Sequence, residues 1–228
     1  MSSLARVLVV AEMQGRDLRR RRVAVGLLIA LPLAFYFSLL TEPEDPFVFV
    51  AGGIGMAWSV AGAALFSMLA ARRIDPRLVL SGYRTHELLL GRLVLLEAFA
   101  LALLVGFSVL IAILSPPDEL AALLVGLAVA ALIGVAVGLA AAAVLPRELE
   151  GTLAIVGVVG VNMSVPPDAA LAPALPFYGA SDFLHRAAGA SDAAGDALAH
   201  SLAYTAALLA VAIVFWARRV RVRRGEPL

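Results

Sequence analysis

The chain has 228 residues, 62% of them hydrophobic, with a mean hydropathy of +0.95; soluble domains are roughly 45–50% apolar, so a soluble globular fold is excluded. The net charge of +1 says little about partners, because the 18 basic residues, all Arg and none Lys, are segregated between long apolar runs. The absence of cysteine excludes disulfides, thiolate metal sites and cysteine nucleophiles.

The first segment, residues 4–22, places Leu4, Val7, Leu8 and Ala11 on one helical face, with Arg6 and Glu12 elsewhere and a run of arginines at its end. This pattern predicts an interfacial amphipathic helix leading into the first span, in preference to a disordered basic tail. Arg19 to Arg22 precede the first apolar run as they would in a signal peptide. No small-residue cleavage site follows, because Pro32, Phe35 and Tyr36 lead straight into an acidic loop, so a retained span is predicted. Pro32 predicts a kink in it.

Uncharged stretches cover 23–41, 47–71, 120–145, 151–167 and 201–217, and the stretch 93–114 carries one acid, Glu97. Crossing a hydrocarbon core of ~30 Å takes roughly 20 helical residues. The stretch 151–167 contains Asn162 and is stopped by Pro166-Pro167, but snorkelling ends or local thinning can complete a short span. Six transmembrane helices are predicted. Residues 1–22 carry six Arg; 72–92 carry Arg72, Arg73, Arg77, Arg84 and Arg92; Arg147 lies in the next loop on that side; the tail holds Arg218, Arg219, Arg221, Arg223 and Arg224. The alternate loops, 42–46, 115–119 and 166–200, are acidic or nearly neutral and contain only Arg186. Seventeen of 18 arginines thus fall on one side, which the positive-inside rule assigns to the cytoplasm, with both termini inside. The expected architecture is an all-α integral membrane domain, with 1–22 interfacial, 23–217 a six-span bundle and 218–228 a basic tail. The Arg-only, Ala/Val/Leu-rich composition is associated with GC-rich bacteria, and hence with a bacterial inner membrane.

The loop between spans two and three has its own structure. Asp75 and Pro76 predict a helix start, with Asp75 as N-cap acceptor and Pro76 at the first helical position. Arg77 and Leu78 continue that helix and Ser81-Gly82 stop it. Thr85 is then the predicted cap of the next helix, with Glu87 in its first turn complementing the dipole.

Other motifs are weaker. Glu97 is a candidate translocation-path residue, but it lies about 7–8 Å up the helix from Arg92, where structural pairing near the interface is the commoner role. Asn162 could line a cavity or bond between helices, the latter being more usual. Gly134 and Gly138 form a close-packing motif, read as intrachain. His86-Glu87 begins like a zinc-protease motif, but Leu90 stands at the second His position. His185 and His200 have no ligand spacing, so no metal site is expected. With no Lys there is no phosphate loop, so the chain itself is not expected to be an ATPase or another enzyme. The Arg clusters beside span ends point to membrane lipids and not to nucleic acid.

The string Leu80-Ser81-Gly82-Tyr83-Arg84-Thr85-His86-Glu87-Leu88-Leu89-Leu90-Gly91-Arg92-Leu93 resembles the loop after the second span in permeases of the ABC type-2 (exporter) class. There a Ser/Pro-type turn and a basic residue precede Glu-Leu-Leu-Leu-Gly-Lys/Arg. A second string, Leu175-Pro176-Phe177-Tyr178-Gly179-Ala180-Ser181-Asp182-Phe183-Leu184-His185-Arg186-Ala187, is similar to that class's Leu-Pro-x-x-Tyr/Phe-x-x-x-x-Leu-Arg element after the fifth span. One departure is that Ile74-Asp75-Pro76-Arg77-Leu78 stands where members often carry Glu/Gly-Thr-Leu-Glu.

The resemblance implies the membrane half of an ABC exporter, two permease copies or paralogues working on two ATPase subunits. ATP and Mg would sit on those subunits, and no cofactor on this chain. It implies ATPase coupling through Asp75, Pro76, Arg77, Leu78, Ser81, Gly82, Tyr83, Arg84 and Glu87, together with the N-terminal interfacial helix. It also implies short re-entrant helices containing Pro176, Phe177, Tyr178 and Arg186. By composition alone, the proline-rich 165–177 stretch fits either broken helices half-sunk in the bilayer or a plain outer loop. An apolar bundle suits a hydrophobic or amphipathic cargo such as a drug, lipid or natural product. A haem-exporter-like permease of cytochrome c maturation has a similar layout. From other classes, a membrane scaffold or immunity protein would keep the topology without an ATPase, and a membrane-embedded enzyme would need a polar constellation that the spans do not supply.

Overall fold

A computed structural model describes residues 2–40, 46–72, 74–145, 147–191 and 195–220, and every regular element among them is helical. Residues 42–45 of the first predicted outer loop, Arg73, and the tail arginines Arg221, Arg223 and Arg224 lie outside the described residues. The helices are α1 (Ser3–Arg20), α2 (Arg22–Leu39), α3 (Phe47–Ala71), α4 (Asp75–Leu80), α5 (Thr85–Leu114), α6 (Leu120–Val144), α7 (Glu148–Ser164), α8 (Tyr178–Ala187) and α9 (Gly195–Val220), with a 3₁₀ turn at Ala172–Ala174. Five of them, α2, α3, α5, α6 and α9, are long and apolar enough to cross a membrane. Length and composition thus mark a multi-pass membrane protein. The predicted fifth span, α7, is helical over 17 residues, about 26 Å at the standard rise.

The bundle is built around α3. In its most apolar window 94% of the residues are buried, which its small side chains make possible. A Cβ added to Gly134 would lie 2.5 Å from the Ala57 carbonyl oxygen, and one on Gly138 would fall onto the Ala61 carbonyl. The two glycines of α6 therefore let its backbone lie directly on α3, the intrachain packing expected of small residues four apart. Gly53 likewise receives Leu184 from α8, and Gly55 receives Pro32 and Phe35 from α2. Helix α2 continues unbroken through Pro32.

Helix α1 forms as predicted, and of the predicted face Val7 is the residue that packs on the bundle. Val7 and Val10 are buried against α5, whereas Leu4 and Leu8 are 69% and 53% exposed. The reason lies on α5. A Cβ at Gly91 would stand 2.7 Å from Val10 Cβ and 2.8 Å from the Val7 carbonyl, so this glycine forms the notch that admits the Val7/Val10 stripe. Gln14, farther along that stripe, accepts from Ser67 Oγ on α3 at 3.1 Å.

The ends of the helices sort into two groups. At one end Arg72 Nη2 donates to the carbonyls of Ala142 and Leu145 (2.6 Å to the latter), joining the loops after α3 and α6. At the other, the amides of Asp118 and Glu119 donate to the Ala187 carbonyl at 2.9 and 3.4 Å. The first group holds the arginine-rich segments.

Candidate functional site

At the arginine-rich end, α4 rests on a buried polar knot. Its N-cap is Ile74 and not Asp75, and no side chain caps it. The Asp75 carboxylate turns inward instead. Arg92 Nη2 lies 3.2 Å from both of its oxygens, and Trp216 Nε1 donates to Oδ2 at 3.2 Å. Arg92 Nη1 also points at Met68 Sδ, 2.8 Å away. Arg92 is fully buried and Asp75 is 2% exposed. A cap contributes about 1 kcal/mol, while a buried guanidinium without a counterion costs several times that, so the carboxylate goes to Arg92. The knot joins α3, α4, α5 and α9.

The turn after α4 ends the helix at the predicted place. Gly82 N–H donates to Val79 O (3.1 Å) and Tyr83 N–H to Leu78 O (3.0 Å), the two bonds of a Schellman stop. Gly82 has φ +93°, a conformation that side chains disfavour. The next helix is capped one residue earlier than predicted, at Arg84 and not Thr85, with Arg84 N–H donating to Glu87 Oε2 at 2.9 Å. Onto this turn comes Arg6 of α1. Its Nη1 donates to the Gly82 carbonyl at 2.7 Å and stands 3.6 Å from Glu87 Oε2, and its guanidinium lies 5.9 Å from the Tyr83 ring centre.

The nine predicted coupling residues therefore form one continuous patch with two faces. Arg77, Ser81, Gly82 and Arg84 are exposed, together with Ile74 and Leu80, which were not singled out. Asp75 and Glu87 are buried, while Pro76, Leu78 and Tyr83 are half-buried. Arg92 and Trp216 were missed as members of the knot. A signal for Arg92 existed: Leu88, Arg92 and Leu96 recur at helical spacing, and all three are fully buried. An arginine on an apolar stripe faces inward and needs an acid. No comparable signal marks Trp216.

The other predicted residues lie elsewhere. Glu97 is exposed on the outer face of α5 and has no ion-pair partner among the described residues, Arg92 being engaged by Asp75. Asn162 donates from Nδ2 to the Val158 carbonyl (2.7 Å) and accepts the Phe177 N–H on Oδ1 (3.1 Å), pinning the start of α8 to α7. It also lines a cavity of about 490 Å³ with Tyr178, Ser181, Asp182 and His185, which Glu97 does not reach. Pro176 is half-buried and Phe177 fully buried. Arg186 forms a two-pronged pair with Glu119, Nε to Oε2 at 2.6 Å and Nη2 to Oε1 at 3.2 Å. The His200 ring stands edge-on to Tyr178 and its Nε2 is 2.8 Å from the Pro173 carbonyl, so this histidine anchors the segment before α8. No family model matches the chain, and no curated protein matches it.

Proposed function

We propose that this chain is the membrane permease of an ATP-driven ABC exporter, with six spans, both termini in the cytoplasm, and α4 as the element that receives force from a separate ATPase. The observation that carries this reading is the two-faced build of α4. Its outward face offers Ile74, Arg77 and Leu80 at helical spacing, while its inward carboxylate is tied to α5 through Arg92 and to α9 through Trp216. A push on such a helix reaches two long helices without passing through a loop. Arg6 adds α1 to the same rigid turn.

In this reading α7 is the fifth span, shortened at its ends, and α8 is a re-entrant helix beneath the outer surface. The burial of Gly179, Ala180, Leu184 and Ala187 supports that placement. A bacterial inner membrane is the proposed location, with ATP and Mg on two partner ATPases, a second permease copy or paralogue beside this one, and a hydrophobic or amphipathic cargo.

The test is co-purification of the tagged protein from its native membrane in gentle detergent or nanodiscs, with mass spectrometry of what accompanies it. A stoichiometric ATPase is expected, and it should be lost when Arg77 and Leu80 are both replaced by Glu while the permease still inserts and melts normally. These outward residues are better probes than Asp75, whose loss would disturb the fold itself. Purification with no ATPase would sink the exporter reading and favour a scaffold.

A further inference from the structure

At the arginine-rich end a cleft of about 500 Å³ opens between the second half of α1 and the neighbouring parts of α3 and α5, beside the Gln14–Ser67 contact, within the roughly 300–1,000 Å³ range of small-ligand sites. Its floor is largely apolar, with the half-buried Phe66 and Ala70 of α3 and Leu95 of α5; Ser67 and Asp75, the latter already paired with Arg92, line it too. Its roof includes Val9 and Met13 of α1, which are 41% and 39% exposed. The mouth is charged, with Glu12, Arg16, Asp17, Arg20 and Arg21. Two of these arginines are already answered, Arg16 by Glu12 at 2.5 Å and Arg21 by Asp17 at 3.3 Å. Arg20 forms no ion pair among the described residues. Beside the mouth α2 begins; its first intrahelical bond is from Val25 N–H to the Arg21 carbonyl, so the amides of residues 22–24 add partial positive charge there.

We infer that this cleft is a binding site for one anionic phospholipid, one of its two acyl chains on the apolar floor, the other in the surrounding bilayer, and its phosphate at Arg20 beside the start of α2. An apolar trough with one unanswered cation at its mouth selects an amphiphile with a single negative group. This is more specific than the diffuse attraction of arginine clusters for an anionic surface. It makes one arginine important and leaves its neighbour indifferent: Arg19, adjacent in sequence, does not line the cleft. The site is independent of any ATPase.

The test is native mass spectrometry of the full chain in neutral detergent, titrated with phosphatidylglycerol, phosphatidylcholine or inorganic phosphate. One phosphatidylglycerol should be retained, phosphatidylcholine should bind more weakly, and phosphate alone should not bind. Arg20→Gln should weaken phosphatidylglycerol about tenfold, equivalent to roughly 1.4 kcal/mol for a charge-assisted contact, while Arg19→Gln leaves it unchanged. Ala70→Phe and, on the exposed roof, Met13→Trp should fill the trough and expel the lipid. Equal losses from Arg19→Gln and Arg20→Gln would reduce the site to diffuse electrostatics. Phosphate binding as well as the lipid would make it a simple anion site. Retention of lipid by the folded Met13→Trp protein would place the chain elsewhere; each of these three results overturns the proposal.

Discussion

Trp216 and Asp75 are 141 residues apart in sequence, yet the indole N–H of one donates to the carboxylate of the other at 3.2 Å. Through that bond the last long helix and the short helix at the arginine-rich end share a buried charge with Arg92. Removing one member of such a group leaves the rest uncompensated.

Asp75→Ala should therefore destabilise the protein by about 3–5 kcal/mol, because Arg92 keeps its buried charge. The double variant Asp75→Leu with Arg92→Met should recover much of that loss, since neither charge then remains. Thermal unfolding in detergent of the single and double variants checks this. Equal instability of the single and the double variant would mean that packing, and not charge compensation, governs the knot.

Gly82→Ala tests the stop. No atom lies within 4 Å of the added Cβ, so the only penalty is the positive φ, about 1–2 kcal/mol. The expected result is faster hydrogen exchange at residues 77–84 with little change in the rest of the bundle.

Gly138 and Gly157 make a matched pair. A methyl at Gly138 collides with the Ala61 carbonyl, while one at Gly157 meets nothing within 4 Å. Gly138→Ala should cost about 1–3 kcal/mol by forcing α6 off α3. Gly157→Ala should be neutral or slightly stabilising through helix propensity. Melting temperatures of the two variants in the same detergent decide it.

Arg186 and Glu119 are 38% and 42% exposed, so their pair should contribute only about 0.5–1 kcal/mol. Either single charge reversal should loosen α8, read as faster exchange over residues 178–187. The double reversal, Arg186→Glu with Glu119→Arg, should restore most of the protection. A double reversal no better protected than the singles would show that the pair does not hold α8.

What was legible in the sequence was local. Apolar runs of span length gave the long helices, Gly134 and Gly138 marked α6 as a close-packing helix without naming its partner, and Ser81-Gly82 gave the stop of α4. Each of these signals is confined to one element. The direction of Asp75 was not legible, because a capping role and a buried pair look identical until Arg92 and Trp216 are brought to it from 17 and 141 residues away. The docking of α1 on α5 was not legible for a similar reason: the notch at Gly91 that admits Val7 and Val10 lies on another helix.

The enclosure of α3 has a consequence for how the chain is made. This helix leaves the ribosome before α6, α7 and α8, the neighbours that later cover its glycine- and alanine-lined surface. Lipid tails wet that surface without gripping it, since a bilayer offers no hydrophobic drive between helices. The newly inserted N-terminal half is thus an open shell that closes only when α6 docks along Ala57 and Ala61. A nascent chain stalled before α6 would leave the groove of its central helix along Ala57 and Ala61 unfilled.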